Sequence, residues 1–98
     1  MYDALGIIET LGFTAAMQAA DAAVKSANVS LGKWLKVGGG KVNIIIRGDV
    51  AAVKAAVEAG VQAASKIGTV EAHVVIPRPA DKLAKKMPIN PLSADKKQ

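Results

Sequence analysis

Residues 34–49, WLKVGGGKVNIIIRGD, set three consecutive glycines between two apolar runs, and the residues after the glycines decide the fold. A phosphate-binding loop places its glycines between a strand and a helix and has Ser or Thr after its Lys, because helix amides and the helix dipole hold much of the anion. Here Lys41 leads into Val42 and a β-branched run that reads as a strand. Residues 28–37 are likewise rich in Val, Leu and Trp, so Gly38, Gly39 and Gly40 read as the turn of a hairpin between strands 28–37 and 41–47.

Downstream, Arg47-Gly48-Asp49 closes the second strand, and the Asp49 carboxylate is placed to accept from the first free amides of a helix. That helix is expected to reach about Lys66, with Val50, Val53, Val57, Val61 and Ala64 inward and Lys54, Glu58, Gln62 and Ser65 outward, and Gly68 stops it. Upstream, Phe13, Met17, Ala20, Val24 and Ala27 recur at helical spacing, with Thr14, Gln18, Asp21 and Lys25 on the other side. Residues 3–11 and 69–76 read as the first and last strands. The order is strand, helix, strand, strand, helix, strand, and an echo at an offset of 36 supports it: Ile8 meets Ile44, Gly12 meets Gly48, and Ala19-Ala20 meet Ala55-Ala56. The expected fold is α+β, a ferredoxin-like split βαβ domain with a four-stranded antiparallel sheet and two main helices on one face. The domain is assigned to residues 1–79. Prolines 77, 79, 88 and 91 then break the pattern, and residues 80–98 read as a short helix over 80–87 and a flexible basic tail.

A 98-residue chain makes one domain that buries roughly 60 to 70% of its unfolded surface. Its 51% hydrophobic content is mostly Ala and Val, with Tyr2, Phe13 and Trp34 as aromatics, so partners are expected to cover small-residue surface. Without cysteine there is no disulfide framework and no thiolate nucleophile or metal site, and the lone His73 cannot form a histidine cluster. No metal, cofactor or catalytic residue is expected. No run approaches the ~20 apolar residues of a membrane span, and Met1-Tyr2-Asp3 offers no basic flank for a signal peptide, which points to a cytoplasmic protein. The net charge of +5 divides unevenly: residues 78–98 carry six cations and two acids, residues 1–77 seven cations and six acids. The basic excess is therefore in the tail, and no basic nucleic-acid-reading face is implied. Strand aromatics for RNA stacking reduce to Trp34. Glu9 and Glu71 project from strands without a pocket motif, and His73 is expected on the strand face of Glu71 and Val75.

Five stretches, ALGIIETLGF, AADAAVKSANV, KVGGGKV, RGDVAAVKAAVEAG and VVIPRP, resemble the successive signatures of bacterial microcompartment shell proteins of the hexameric, single-domain type, in order and over residues 4–79. The resemblance implies a structural role in which six copies close into a tile and tiles meet edge to edge. The other partners implied are further shell proteins, including pentameric vertex proteins, and enclosed enzymes reached through their targeting peptides. It also implies a central pore formed by Lys36, Val37, Gly38, Gly39, Gly40 and Lys41, with Gly39 at the narrowest point and small polar or anionic metabolites passing. Lys25, with Asn28 nearby, and Arg78 match the residues that join neighbouring hexamers. Departures from the family pattern are Lys33, Trp34 and Leu35 where Gly, Tyr and Glu are common, Gly39 where Ser is frequent, and His73 one place early, which would turn it to the other strand face. Two other readings compete: a ferredoxin-like ligand-sensing or regulatory protein that binds an anion at the glycine turn, and a nucleic-acid binder using the tail.

Overall fold

The structure, a computed structural model, describes residues 4–78. Strand β1 (Ala4–Leu11) leads into α1 (Phe13–Ser26), then come β2 (Ser30–Leu31), β3 (Leu35–Val37), β4 (Lys41–Gly48), α2 (Val50–Ser65) and β5 (Thr69–Ile76). The sheet is antiparallel, with β1 between β4 and β5, and with β2 and β3 both paired to the outer edge of β4. This is the expected α+β layout, with one refinement. The strand read over 28–37 is broken in two by a one-residue shift in its pairing with β4: the register of Leu31 opposite Ile46 runs on to Gly32, whose N–H donates to the Ile45 carbonyl (2.8 Å), and resumes one residue out of step with Leu35 opposite Asn43, while Trp34 between them stacks edge-on against Phe13. The helix expected over 80–87 and the tail lie outside the described residues.

Alternation along β1 and β4 divides the sheet into two faces. Ala4 and Ile8 of β1 and Val42, Ile44 and Ile46 of β4 face both helices and form the core with Val53, Ala56, Val57 and Ala64 of α2. Each fully buried Ile or Val there contributes roughly 1.5–3 kcal/mol.

The fully buried side chains of α1 are all small, with Met17 packed part-buried beside them. Ala15, Ala16, Ala19, Ala20 and Ala23 are buried, whereas Phe13 and Val24, expected inward by their size, are 50% and 41% exposed. Val50 on α2 is likewise exposed rather than inward. The reason is the approach of the helices: a Cβ added to Gly60 would stand 2.8 Å from Ile8 Cδ1 and 2.9 Å from the Ala19 carbonyl oxygen. Where backbones pass that closely only Ala and Gly fit, and the larger apolar groups are turned outward. The internal echo shifts accordingly. An offset of 36 keeps Ile8 and Ile44 on one strand face, but burial along the helices matches one residue later, Ala16 with Val53, Ala19 with Ala56 and Ala23 with Gly60.

Asp49 caps α2 as expected, its Oδ1 accepting from the Ala52 N–H at 3.0 Å. Asp49→Ala is expected to cost about 1 kcal/mol, seen as a lower urea midpoint with unchanged slope at fixed protein concentration.

Candidate functional site

The register separates the sequence-flagged residues into two groups. Val37 pairs with Lys41, Lys41 with Leu11 and Leu11 with Thr69, so the glycine turn closes one end of the sheet. The opposite end is marked by the pairs Ala4 with Gly48, Leu5 with Ile76 and Ser30 with Arg47. Helix α1 starts beside the turn and runs back, which brings Lys25 and Asn28 to that far end, and Arg78 arrives there just past Ile76 of β5. Eight strand residues at ~3.3 Å each put the two groups about 25 Å apart.

At the near end Gly39 (φ 77°, ψ 21°) and Gly40 (φ 78°) adopt the left-handed region, and the Gly40 carbonyl accepts from the Gly12 N–H at 2.8 Å. That bond ties the turn to the start of α1. For any residue with a Cβ, positive φ costs about 1–2 kcal/mol, which accounts for glycine at 39. Gly38 has no positive φ, and a Cβ built there meets nothing within 4 Å. Within one chain, neither conformation nor packing requires glycine at that position.

Charge around the turn is unequal. Lys36 is exposed and forms no ion pair among the described residues. Lys41 stands 4.0 Å from Glu71. A β-bulge makes that contact: β1 passes from Glu9 opposite Ala72 to Thr10 opposite Val70, leaving Glu71 without a partner in the ladder. The bulge also corrects the expected grouping of β5. His73, opposite Ile8, and Val75, opposite Gly6, face the helices, while Glu71 leaves that alternation to meet Lys41.

At the far end Lys25 is 74% exposed and pairs with Asp21 one helical turn away at 3.0 Å, and Asn28 and Arg78 are both exposed, where the chain leaves α1 and β5. An exposed i,i+4 pair contributes roughly 0.3–0.5 kcal/mol, so the fold does not depend on Lys25.

A hollow of about 260 Å³ brings Glu9, Asn43 and His73 to one lining with Ile7, Ala72 and Val74, without a hydroxyl or thiol to act as nucleophile. The sequence reading missed a pair of surfaces on the flanks of the sheet. On one, Phe13 and Trp34 meet with ring centroids 5.2 Å apart and planes at 69°, both about half exposed. On the other, an open groove of about 450 Å³ runs between α2 and β5. The outward Phe13 could have signalled the first only against the alanine stripe beside it.

Comparison with known proteins agrees with this architecture. The BMC domain family matches residues 4–79. The chain is 56% identical over 86 residues to the bacterial microcompartment shell protein PduA of Citrobacter freundii, covering 88% of this chain and 92% of that one. It is 48% identical over 88 residues to the carboxysome shell protein CcmK2 of Synechococcus elongatus, covering 88% and 86%. A crystal structure of a microcompartment protein from Desulfitobacterium hafniense superposes with a TM-score of 0.79 at 41% identity over 87% of this chain, which spans about half (48%) of that longer chain.

Proposed function

We propose an assembly from one premise: the chain belongs to the BMC domain family and is a structural shell protein of a bacterial microcompartment, not an enzyme. It works with other shell proteins in that shell. In the proposed assembly six copies surround an axis at the glycine turns, with their sheets extending outward like spokes. Lys25, Asn28 and Arg78 then occupy the perimeter, where one ring meets the next and, at vertices, pentameric shell proteins. Enclosed enzymes dock through their targeting peptides.

The observation that carries the reading is the division of the sheet into a glycine end and a Lys25/Asn28/Arg78 end about 25 Å apart. A residue at a ring's centre and one at its perimeter must lie at opposite ends of the protomer. Gly38 supports it further. Its bare backbone has no cause inside one chain, whereas crowding of symmetry-related turns on an axis supplies one. The opening so formed is lined by backbone, with Lys36 supplying positive potential and Lys41 partly offset by Glu71, and it passes small polar or anionic metabolites. In the anion-sensing alternative one chain would have to enclose its ligand, yet open space surrounds Gly38 and Gly39.

The test separates ring from sheet. Wild-type protein is expected at the mass of six protomers by native mass spectrometry and as extended sheets by electron microscopy. Lys25→Asp and Arg78→Ala should keep the mass and lose the sheets. A protomer mass for the wild type, or normal sheets from both variants, refutes the assignment.

A further inference from the structure

We infer that neighbouring copies join through a heterologous seam in which the Phe13–Trp34 aromatic ridge of one protomer seats in the groove between α2 and β5 of the next. The inference rests on the proposed ring and names the surfaces that would close it.

Three observations carry it. First, the sheet has two flanks, and each carries an uncovered apolar feature of different shape. The β2/β3 flank bears the aromatic pair, with Leu31 and Val37 also exposed. The β5 flank bears the groove, floored by Val57, Val61 and Val75 and rimmed by Lys54, Glu58 and His73. A rotation about an axis brings one flank of a protomer against the opposite flank of its neighbour, so a ridge on one and a groove on the other suit ring closure.

Second, the two features stand at the same distance from the glycine end. Leu35 pairs with Asn43, so the preceding Trp34 is level with Ile44. Ile44 pairs with Ile8, and Ile8 with His73. With strands arranged as spokes, rotation conserves distance from the axis, so Trp34 of one copy meets the level of His73 in the next. Ile44 and His73 are also on the helix side of the sheet, the side on which Trp34 touches Phe13 at the start of α1.

Third, a charge pair is available across the seam. From residue 22 to residue 48 the chain has no acid, and Lys33 adjoins Trp34 on the ridge, while Glu58 stands on the rim of the groove with Lys54 and His73. A Trp and a Phe entering a valine-floored groove supply the large apolar payload that α1 withholds from its own core.

The chain has no cysteine, so introduced thiols report this contact alone. The double variant Trp34→Cys/His73→Cys, oxidised or bridged with a short bismaleimide, is expected to give a ladder of covalent oligomers up to the full ring on a denaturing gel. Each single variant should stay monomeric there. Covalent dimers from a single variant would mean like faces meet, and a monomeric double variant that keeps its native ring mass would mean the seam lies elsewhere; either overturns the inference while leaving the ring intact. A wild-type mass of one protomer would instead overturn the ring and the seam together. As a second measure, Lys33→Glu should weaken ring formation and Glu58→Lys in the same chain should restore it. Weakening without restoration counts against the pairing.

Discussion

Gly60→Val should destabilise the protein by about 3 kcal/mol, a large loss for one core position. Gly60 is buried in the middle of α2, and even a Cβ there would lie 2.9 Å from the Ala19 carbonyl oxygen and 2.8 Å from Ile8 Cδ1. The isoleucine tip can rotate away, but the backbone oxygen moves only if α1 moves. Two terms oppose each other in Gly60→Ala: replacing Gly in a helix returns up to about 1 kcal/mol of propensity, while overpacking costs about 1–3 kcal/mol. Alanine should therefore be mildly destabilising. Valine adds two methyl groups at the same contact and loses part of the propensity gain through its branched Cβ. At about 4–8 °C per kcal/mol for a domain of this size, Gly60→Val should melt about 15 °C lower, at equal protomer concentration. Ala55→Val, on the exposed side of α2, isolates the propensity term and should shift the midpoint by only a few tenths of that. Equal midpoints for the two valine variants would show that the helices do not pass at backbone contact.

The same close approach explains what sequence could and could not disclose. Asp49, the glycine turn and the alternation of β4 are local signals, each read from a few neighbours in the chain, and each holds in the structure. The face of α1 is not local. Phe13 and Val24 lie on the stripe that hydrophobicity ranks highest, but the gap left by α2 fully buries the Ala15, Ala19 and Ala23 stripe instead, with Met17 packed part-buried beside it. A surface awaiting a neighbour excludes water as a core does, so one sequence shows both as apolar stripes and does not say which is which. The β5 bulge is hidden for a similar reason: strict alternation puts Glu71 with His73, and only the pairing to β1 shows that one residue is skipped. Lys25, Asn28 and Arg78 carry no signal of their own, since polar residues at element ends are ordinary. Only the family resemblance singles them out as proposed edge residues, and the register adds that all three share one end of the sheet.

Closing the proposed pore with side chains should abolish passage of small polar solutes across reconstituted shells while leaving the fold and the sheets intact. Two positions make the test decisive because they differ in backbone cost. Gly38→Leu enters open space without positive φ, so a single chain should tolerate it with little change in stability. Gly39→Leu points into equally open space but must hold φ near 77°, at a cost of about 1–2 kcal/mol. If six turns converge, either variant places six isobutyl groups on one axis, and an apolar constriction of that kind excludes water and the solutes that travel with it. Blockage by both variants despite their unequal stability would assign the effect to occlusion, not to loosening of the turn. Lys36→Glu tests the charge separately: it should lower the ratio of anion to cation passage for solutes of one size and leave neutral solutes unaffected. Lys41→Gln should do less, because Glu71 already offsets Lys41 at 4.0 Å. Unchanged passage of a small anion through shells built from Gly38→Leu and from Gly39→Leu would remove the glycine turn from the transport path.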